Sequence, residues 1–120
     1  MKEKNNRSLI QICPVRNVIS RIGDKWSILV LLMLNDNENL RYSQLNKCIP
    51  DISQKMLANT LKFLEADKLV IRTVYPEVPP RVEYRLTDIG RSLIPHITAL
   101  TNWANEHMEE IVENRNKGIA

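Results

Sequence analysis

Glycine and histidine are scarce in this chain of 120 residues, and each shortage excludes a kind of chemistry. Three glycines leave no room for the GxGxxG or P-loop motifs that cradle phosphates. No serine lies in a nucleophile-elbow pattern. The two histidines, His96 and His107, stand eleven residues apart, with no thiol or carboxylate pair at metal-ligand spacing nearby. We therefore expect a protein that is not an enzyme and holds neither a metal nor another cofactor.

Long apolar runs are missing as well. The longest, Ile28–Leu34, is far shorter than the ~20 residues that a membrane-spanning helix requires. The N-terminal stretch MKEKNNRSL is charged and lacks the apolar segment of a signal peptide. We expect a soluble, cytoplasmic protein with no membrane partner. In that compartment its two cysteines, Cys13 and Cys48, are reduced thiols rather than a structural disulfide.

The chain length suits one domain, which we assign to residues 12–120, after a flexible arm at residues 1–11. Charge is distributed unevenly along the chain. Residues 1–91 contain 15 Lys and Arg against 10 Asp and Glu, whereas residues 92–120 contain 2 against 4. The larger, basic part is suited to a polyanionic partner.

The segment that begins at Ser53 predicts a helix with two chemically different faces. Ser53 is a favoured N-cap residue, and three leucines follow at the spacing that stacks side chains on one buried face: Leu57, Leu61 and Leu64. The opposite face, which we call the polar face, contains no acid and consists of Gln54, Lys55, Asn59 and Lys62. Lysine neutralises phosphate, and Gln or Asn can bond to adenine in the major groove. An ordinary solvated helix surface explains this face equally well.

Residues 69–86 predict a β-hairpin. The segments LVIRTVY (69–75) and RVEYRL (81–86) are rich in strand-forming residues, and PEVPP (76–80) joins them as a stiff, protruding loop. Arg72, Arg81 and Arg85 lie on this hairpin, where they can straddle a phosphate backbone. The alternative is that the arginines are solvated or pair with Glu77 and Glu83. A hairpin directly after a helix with a polar face favours DNA binding.

The remaining segments predict three helices before this pair and one after it. Cys13 caps a helix that runs from Pro14 to Arg21 or Ile22 and stops at Gly23. Asp24 caps a second, centrally buried helix that continues through residues 28–34. Leu40 to Tyr42 can form a short edge strand, and Ser43 caps a short helix over residues 44–49. The last two helices before the hairpin make a helix-turn-helix.

The C-terminal helix, about residues 87–114, carries apolar positions spaced like those of a coiled coil. We call this row the seam, and it consists of Leu93, Ile97, Leu100, Ala104, His107 and Ile111. Trp103 and Met108 lie beside the seam as anchor candidates. The helix can pack on its own domain, but we favour homodimerisation, with the first helix in the same interface. The expected fold is mainly α with a small β-hairpin (α+β): a winged helix-turn-helix with N- and C-terminal dimerisation helices.

Several motifs together resemble the HxlR-type winged-helix transcriptional regulators, which are related to the MarR type. They are Cys13-Pro14, IGDKWSILVL (22–31), RYSQL (41–45), ISQKMLANTLKFLE (52–65), VYPEVPPRVEYRLTDIG (74–90) and Trp103. The resemblance implies a homodimer on double-stranded operator DNA, with the helix from Ser53 in the major groove and the loop 76–80, the wing, beside it. Carried over position by position, the DNA-contacting residues are Arg41, Ser43, Gln44, Ser53, Gln54, Lys55, Asn59, Lys62 and Arg81. Gln44 departs from the acid usual in the family, and Asp51 from a frequent glycine.

The two cysteines suggest a further role. A thiol at a helix N-cap, with Arg16 one turn away, favours thiolate, which reacts with oxidants and electrophiles. The resemblance implies redox sensing at Cys13, although a silent packing role also fits. The apolar neighbours of Cys48 predict an inert thiol, yet Cys48 is the only other cysteine, so we hypothesise an intersubunit Cys13–Cys48 disulfide. Two alternatives stay open: a small-molecule effector bound between the long helix and the body, and a protein-interaction module that does not bind DNA.

Overall fold

Eight elements form the chain in the computed structural model, which describes residues 14–119. The proposed arm at residues 1–11 and the capping role of Cys13 lie outside the described residues. The mainly helical fold with a small antiparallel sheet confirms the expected fold class. In chain order the elements are α1 (Pro14–Ile22), α2 (Ser27–Asp36), β1 (Leu40–Arg41), α3 (Tyr42–Cys48), α4 (Gln54–Ala66), β2 (Val70–Tyr75), β3 (Arg81–Leu86) and α5 (Asp88–Ile119).

Helix α2 lies at the centre of the fold, as its apolar sequence predicts. Val30, Leu31 and Leu34 are buried, and they share one core with the leucines of α4 and with Ile94 of α5. This burial removes apolar surface from water around a single helix, so the elements that follow are positioned relative to α2.

The start of α2 lies two residues later than the sequence suggests, yet Asp24 still caps it. Its carboxylate accepts hydrogen bonds from the backbone N–H of Trp26 at 2.7 Å and of Ser27 at 2.9 Å, and from the Ser27 hydroxyl. Partial burial raises the pKa of the Asp24 carboxyl, but these hydrogen bonds together bring that pKa below its ordinary value.

Helix α3 begins differently from the prediction. Ser43 is not its cap, because the helix already starts at Tyr42, directly after the extended residue Arg41. The side-chain oxygen of Gln44 accepts a hydrogen bond from the Arg41 backbone N–H at 2.8 Å, which satisfies a donor that the first turn would leave open. Tyr42 therefore belongs to the helix rather than to the edge strand.

The three strands form an antiparallel sheet in the order β1-β3-β2. The edge strand and the hairpin are confirmed, with β3 over the predicted residues. Tyr84 pairs with Leu40 on one side and with Arg72 on the other. Directly opposed side chains leave an antiparallel pair on the same face. Arg72 and the buried Tyr84 therefore share the face towards the helices, whereas Arg81 and Glu83 lie on the other face.

Helix α5 begins at Asp88, and the Thr87 hydroxyl caps it by accepting a hydrogen bond from the Gly90 backbone N–H at 3.0 Å. Gly90 lies so close to β2 that an added Cβ would stand 2.1 Å from the Leu69 carbonyl oxygen. The helix continues through Pro95 to Ile119, five residues past the predicted end. Within residues 14–119 no helix has both the length and the apolar character needed to cross a bilayer.

Candidate nucleic-acid interface

Helix α4 is oriented by its buried leucines. Leu57, Leu61 and Leu64 are almost fully buried, which confirms the predicted inner face. The Ser53 hydroxyl caps the helix by accepting a hydrogen bond from the Met56 backbone N–H at 3.0 Å. At 100° per residue, Lys55, Asn59 and Lys62 then point away from the core, and all three are exposed. The polar face is therefore available to a partner along its whole length.

One flank of α4 is less polar than the sequence suggests. Phe63 is 54% exposed, and Met56 is also exposed. The Arg21 guanidinium of α1 lies over the Phe63 ring at 4.9 Å, an arrangement that favours a cation over the electron-rich ring face. Met56 and Phe63 line a cavity between α4 and the end of α1, together with Asn59 of the polar face.

The turn between α3 and α4 is held by Tyr42. Its hydroxyl donates a hydrogen bond to the backbone carbonyl of Gln54, the first residue of α4. Burial, followed by the neighbouring Tyr84, raises the pKa of Tyr42, so the hydroxyl keeps its proton and remains a donor. The side chain of Gln54 stays exposed at the start of the polar face.

Three of the predicted contact residues surround one cavity of about 510 Å³ between the start of α3 and the wing. Arg41 and Ser43 line one wall, and Arg81 lies in the other with residues 77–80. Gln44 is exposed nearby, but its side-chain oxygen is bound to the Arg41 backbone, which leaves its amide nitrogen as the free donor. Residues that are 40 positions apart in sequence are thus brought to one edge of the molecule.

Arg81 itself is engaged within the hairpin. Its guanidinium lies 3.3 Å from a carboxylate oxygen of Glu77 and 3.3 Å from one of Glu83, and it stacks over the Tyr75 ring at 4.0 Å. Pairing with Glu77 and Glu83 was the alternative to DNA contact that the sequence left open. In the structure Arg81 pairs with both glutamates, and this pairing stiffens the base of the wing. The tip of the wing, at Val78, is fully exposed.

A second groove flanks α4 on the side of the sheet, and Arg72 lies in it. The groove has a volume of about 420 Å³, and its lining includes Tyr42, Lys62, Glu65 and Tyr84. The family resemblance carried no role to Arg72. The alternation along β2, which puts Arg72 on the same face as Val70 and Val74, was the available signal.

A bidentate ion pair joins α1 to the end of α4. Arg21 donates to both carboxylate oxygens of Asp67, at 2.7 and 2.9 Å, and Asp67 is the C-cap residue of α4. The hydrogen bonds to Asp67 raise the pKa of Arg21. The two residues are 46 positions apart, and nothing in the local sequence of either predicts the contact.

The seam of α5 is divided between the inside and the outside of the chain. Ile97 is only 3% exposed and belongs to the chain's own core, and Leu93 packs against that core. Ile97 is therefore removed from the predicted interface, because the chain's own core already buries it. Further along, the apolar surface of α5 is open at Leu100, Trp103, Met108 and Val112. Val15, Val18 and Ile19 of α1 are open as well.

Of the two cysteines, only Cys48 lies within the described residues, and its environment differs from the prediction. Cys48 is a free, exposed thiol at the end of α3, so the apolar setting that its sequence neighbours predict is wrong. Ile49, its neighbour, is the residue that turns into the core. Cys13 lies outside the described residues.

Comparison with known proteins gives a consistent result. The profile of the HxlR-like helix-turn-helix family matches residues 21–112. Over 92 residues the chain is 51% identical to an uncharacterized HTH-type transcriptional regulator of Methanothermobacter thermautotrophicus, covering 77% of this chain and 70% of that protein. It is 34% identical over 117 residues to the uncharacterized HTH-type transcriptional regulator YtfH of Escherichia coli, covering 98% and 92%.

The fold is also similar to solved structures. The redox regulator HypR in its reduced form superposes with a TM-score of 0.78 at 35% identity, covering 83% of this chain and 98% of that one. Its oxidised form superposes with a TM-score of 0.72 at 38% identity, covering 78% and 96%.

Proposed function

The chain belongs to the HxlR-like helix-turn-helix family of transcriptional regulators, and from that premise we propose that it binds double-stranded operator DNA as a homodimer. In this proposal α4 lies in the major groove and the wing lies against the neighbouring backbone. Arg41 and Ser43 contact phosphates beside the groove, and Gln54 and Asn59 contact base edges.

The observation that carries the proposal is the acid-free polar face of α4. Within residues 14–119, no ion pair joins Lys55 or Lys62 to a carboxylate, so both charges are available to phosphates. Ser53 contributes mainly by capping, because its hydroxyl already accepts the Met56 N–H. A helix whose rotation is fixed by buried leucines presents this face in one orientation, which sequence-specific reading requires.

Salt dependence of DNA binding tests the proposal. We expect Lys55→Ala to lower the slope of log affinity against log salt by about 0.9 per bound protomer, which is one phosphate contact, and Lys62→Ala to lower it by no more than that amount. Asn59→Ala should instead relax sequence preference and leave the slope unchanged. The matched control is Lys117→Ala, at the far end of α5. Little binding by the unaltered protein at low and high salt would favour the rival, a protein-interaction module.

Dimerisation is supported by apolar surface that the chain leaves open. Four large apolar side chains are exposed on α5 between Leu100 and Val112, and three more on α1. Clustered apolar surface of this kind marks an interaction site more often than single exposed residues do. A second copy of the chain covers both clusters in the proposed homodimer. The dimer then fixes the spacing and the two-fold symmetry of its two α4 helices, which binding to a roughly palindromic operator requires.

Oxidant control is the finer part of the proposal. HypR is described as a redox regulator and has been solved in both oxidation states. Exposure makes Cys48 accessible, and the Arg21–Asp67 pair links α1, the helix that follows Cys13, to the end of α4. In the proposed reaction the sulfurs of Cys13 and of Cys48 of the partner subunit form one S–S bond, while two electrons and two protons pass to a two-electron oxidant. Movement of α1 then shifts α4.

Non-reducing gel electrophoresis after mild oxidant treatment tests this reaction. We expect a covalent dimer in the unaltered protein and none in Cys13→Ser or Cys48→Ser. A purely monomeric band, with Cys13 unmodified by mass spectrometry, would contradict oxidant control and leave DNA binding untouched.

A small-molecule effector is the second candidate. A cavity of about 530 Å³ lies between α1 and the start of α5, with Val18, Ile22, Ile89 and His96 in its lining. Its mixed apolar and polar walls suit a small organic ligand. An operator-release response that persists in Cys13→Ser would favour this candidate over oxidation.

A further inference from the structure

The groove between α4 and the sheet has the composition of a phosphate site. Two cations, Lys62 from α4 and Arg72 from β2, stand in its walls with a single acid, Glu65. Two tyrosines, Tyr42 and Tyr84, complete its polar lining. The charge of the side chains that line the groove is therefore positive, and the volume of about 420 Å³ admits a stretch of sugar and phosphate.

Strand register directs Arg72 into this groove. Arg72 lies directly opposite Tyr84 in the β2–β3 pair, so both side chains leave the sheet towards α4, which packs against β2. Tyr75 and Arg81 are opposed in the same pair but leave on the other face. Of these two hairpin arginines, Arg72 is thus the one beside the polar face of α4.

Arg72 and Arg81 also differ in whether carboxylates of their own chain pair with them. Arg81 lies against two carboxylates and one aromatic ring. Arg72 is exposed and makes no ion pair with any carboxylate in the described part of the chain, and Glu65 pairs with neither Arg72 nor Lys62 there. Binding a phosphate at Arg81 requires competition with Glu77 and Glu83, whereas Arg72 has its guanidinium donors available.

We propose that Arg72 and Lys62 clamp one DNA backbone phosphate in the groove between α4 and the sheet, and that Arg81 positions the wing without neutralising a phosphate. The proposal rests on the proposed DNA-binding function and assigns one of its contacts. The planar guanidinium of Arg72 supplies a bidentate pair of donors from the sheet side, and the Lys62 ammonium supplies a point charge from the helix side. This clamp sets how deeply α4 enters the major groove.

The test compares Arg72→Gln with the matched variant Arg81→Gln. The probe is a fluorescein-labelled duplex of the DNA upstream of the protein's own gene, titrated at several salt concentrations by fluorescence anisotropy. One phosphate contributes about 0.9 to the salt slope per bound protomer, and Arg72 and Lys62 share it in the proposed clamp. We therefore expect Arg72→Gln to lower the slope by part of that amount and the double variant Arg72→Gln, Lys62→Ala to lower it by the whole. Arg81→Gln should leave the slope unchanged. Arg72→Lys, which keeps the charge but loses the bidentate geometry, should keep the slope and bind more weakly. Glu65→Gln should bind more tightly.

A second measurement locates the phosphate. Single backbone phosphates of the duplex are replaced by neutral methylphosphonates, and the affinity is measured at each position. We expect one position in each half-site at which the methylphosphonate weakens binding by the unaltered protein markedly more than it weakens binding by Arg72→Gln. Thermal melting of each variant confirms that the fold is retained, and Arg72→Lys carries the comparison if Arg72→Gln does not fold.

The outcomes separate the two levels of the proposal. Binding by the unaltered protein with an unchanged slope in Arg72→Gln, or with the loss appearing in Arg81→Gln instead, overturns the clamp and leaves the proposed function standing. Absence of salt-dependent DNA binding by the unaltered protein overturns both.

Discussion

Replacing Trp103 by alanine should separate the proposed homodimer without unfolding its protomers. Trp103 lies on the outer part of α5 and is 51% exposed, so the chain's own core does not depend on it. Its single intrachain aromatic contact among the described residues is with His107, at 4.9 Å between ring centroids. In the proposed homodimer, the partner chain covers the exposed part of the Trp103 side chain.

The magnitude follows from that open surface. A tryptophan buries about 150–250 Å² when fully covered, so its exposed half offers roughly 100 Å² to a partner. At about 25 cal/mol per Å², covering it contributes roughly 2.5 kcal/mol per protomer and roughly 5 kcal/mol for a symmetric dimer. Since a change of 1.4 kcal/mol corresponds to a tenfold change in affinity, we expect Trp103→Ala to raise the dimer Kd by roughly three to four orders of magnitude.

Sedimentation equilibrium over a range of protein concentrations measures this shift. Phe63→Ala is the matched control, because Phe63 is an aromatic residue of nearly equal exposure, 54%, on α4 rather than on α5. Thermal melting at high dilution checks that each protomer stays folded. A dimer Kd within twofold of the unaltered protein for Trp103→Ala, or an equal loss in Phe63→Ala, would refute the placement of the interface on α5.

Three further predictions concern the stability of the elements that present the polar face. Ser53→Ala should lower the free energy of unfolding by about 1 kcal/mol in urea titration, because the Met56 N–H loses its cap; no change would mean that water replaces the hydroxyl. Asp24 has a folded-state pKa below its ordinary value of 3.8, so its contribution is complete above that pH and is lost as the pH falls through the lower folded value. Thermal melts from neutral pH to about pH 2 should therefore lose less stability in Asp24→Asn than in the unaltered protein; parallel curves would contradict this. Gly90→Ala should destabilise by about 1–3 kcal/mol, because its Cβ would stand 2.1 Å from the Leu69 carbonyl oxygen; an unchanged midpoint would mean that α5 and β2 separate freely.

Local patterns predicted the elements that read DNA in the proposal. The alternation in RVEYRL predicted the first and last residues of β3 correctly. Ser53 and the three leucines that follow it predicted the start and the buried face of α4. Such features depend on neighbours within a few residues, which sequence spacing records directly. The start of α3 was not predicted correctly. Ser43 is a favoured N-cap residue, but Arg41 pairs with β3 and the helix begins directly after it, at Tyr42.

Contacts between distant residues were not predictable in this way. The resemblance assigned DNA contact to Arg81 and no role to Arg72, yet strand register places Arg81 beside two carboxylates and Arg72 in the open groove beside α4. Ile97 had the spacing of an interface residue, but packing against the domain core buries it. Spacing along a helix identifies which residues share a face, and it does not identify what covers that face.

The sequence by itself determined the family, the order of the elements and the acid-free polar face of α4, because motifs, caps and hydrophobic period are properties of short stretches of chain. The tertiary structure decided which of those residues are free to act. It engaged Arg81, left Arg72 beside Lys62, exposed Cys48 and joined α1 to α4 through Arg21 and Asp67. Each of these outcomes depends on charges and surfaces that folding brings together from distant positions, and a charge is available to a partner only where no residue of its own chain has already bound it.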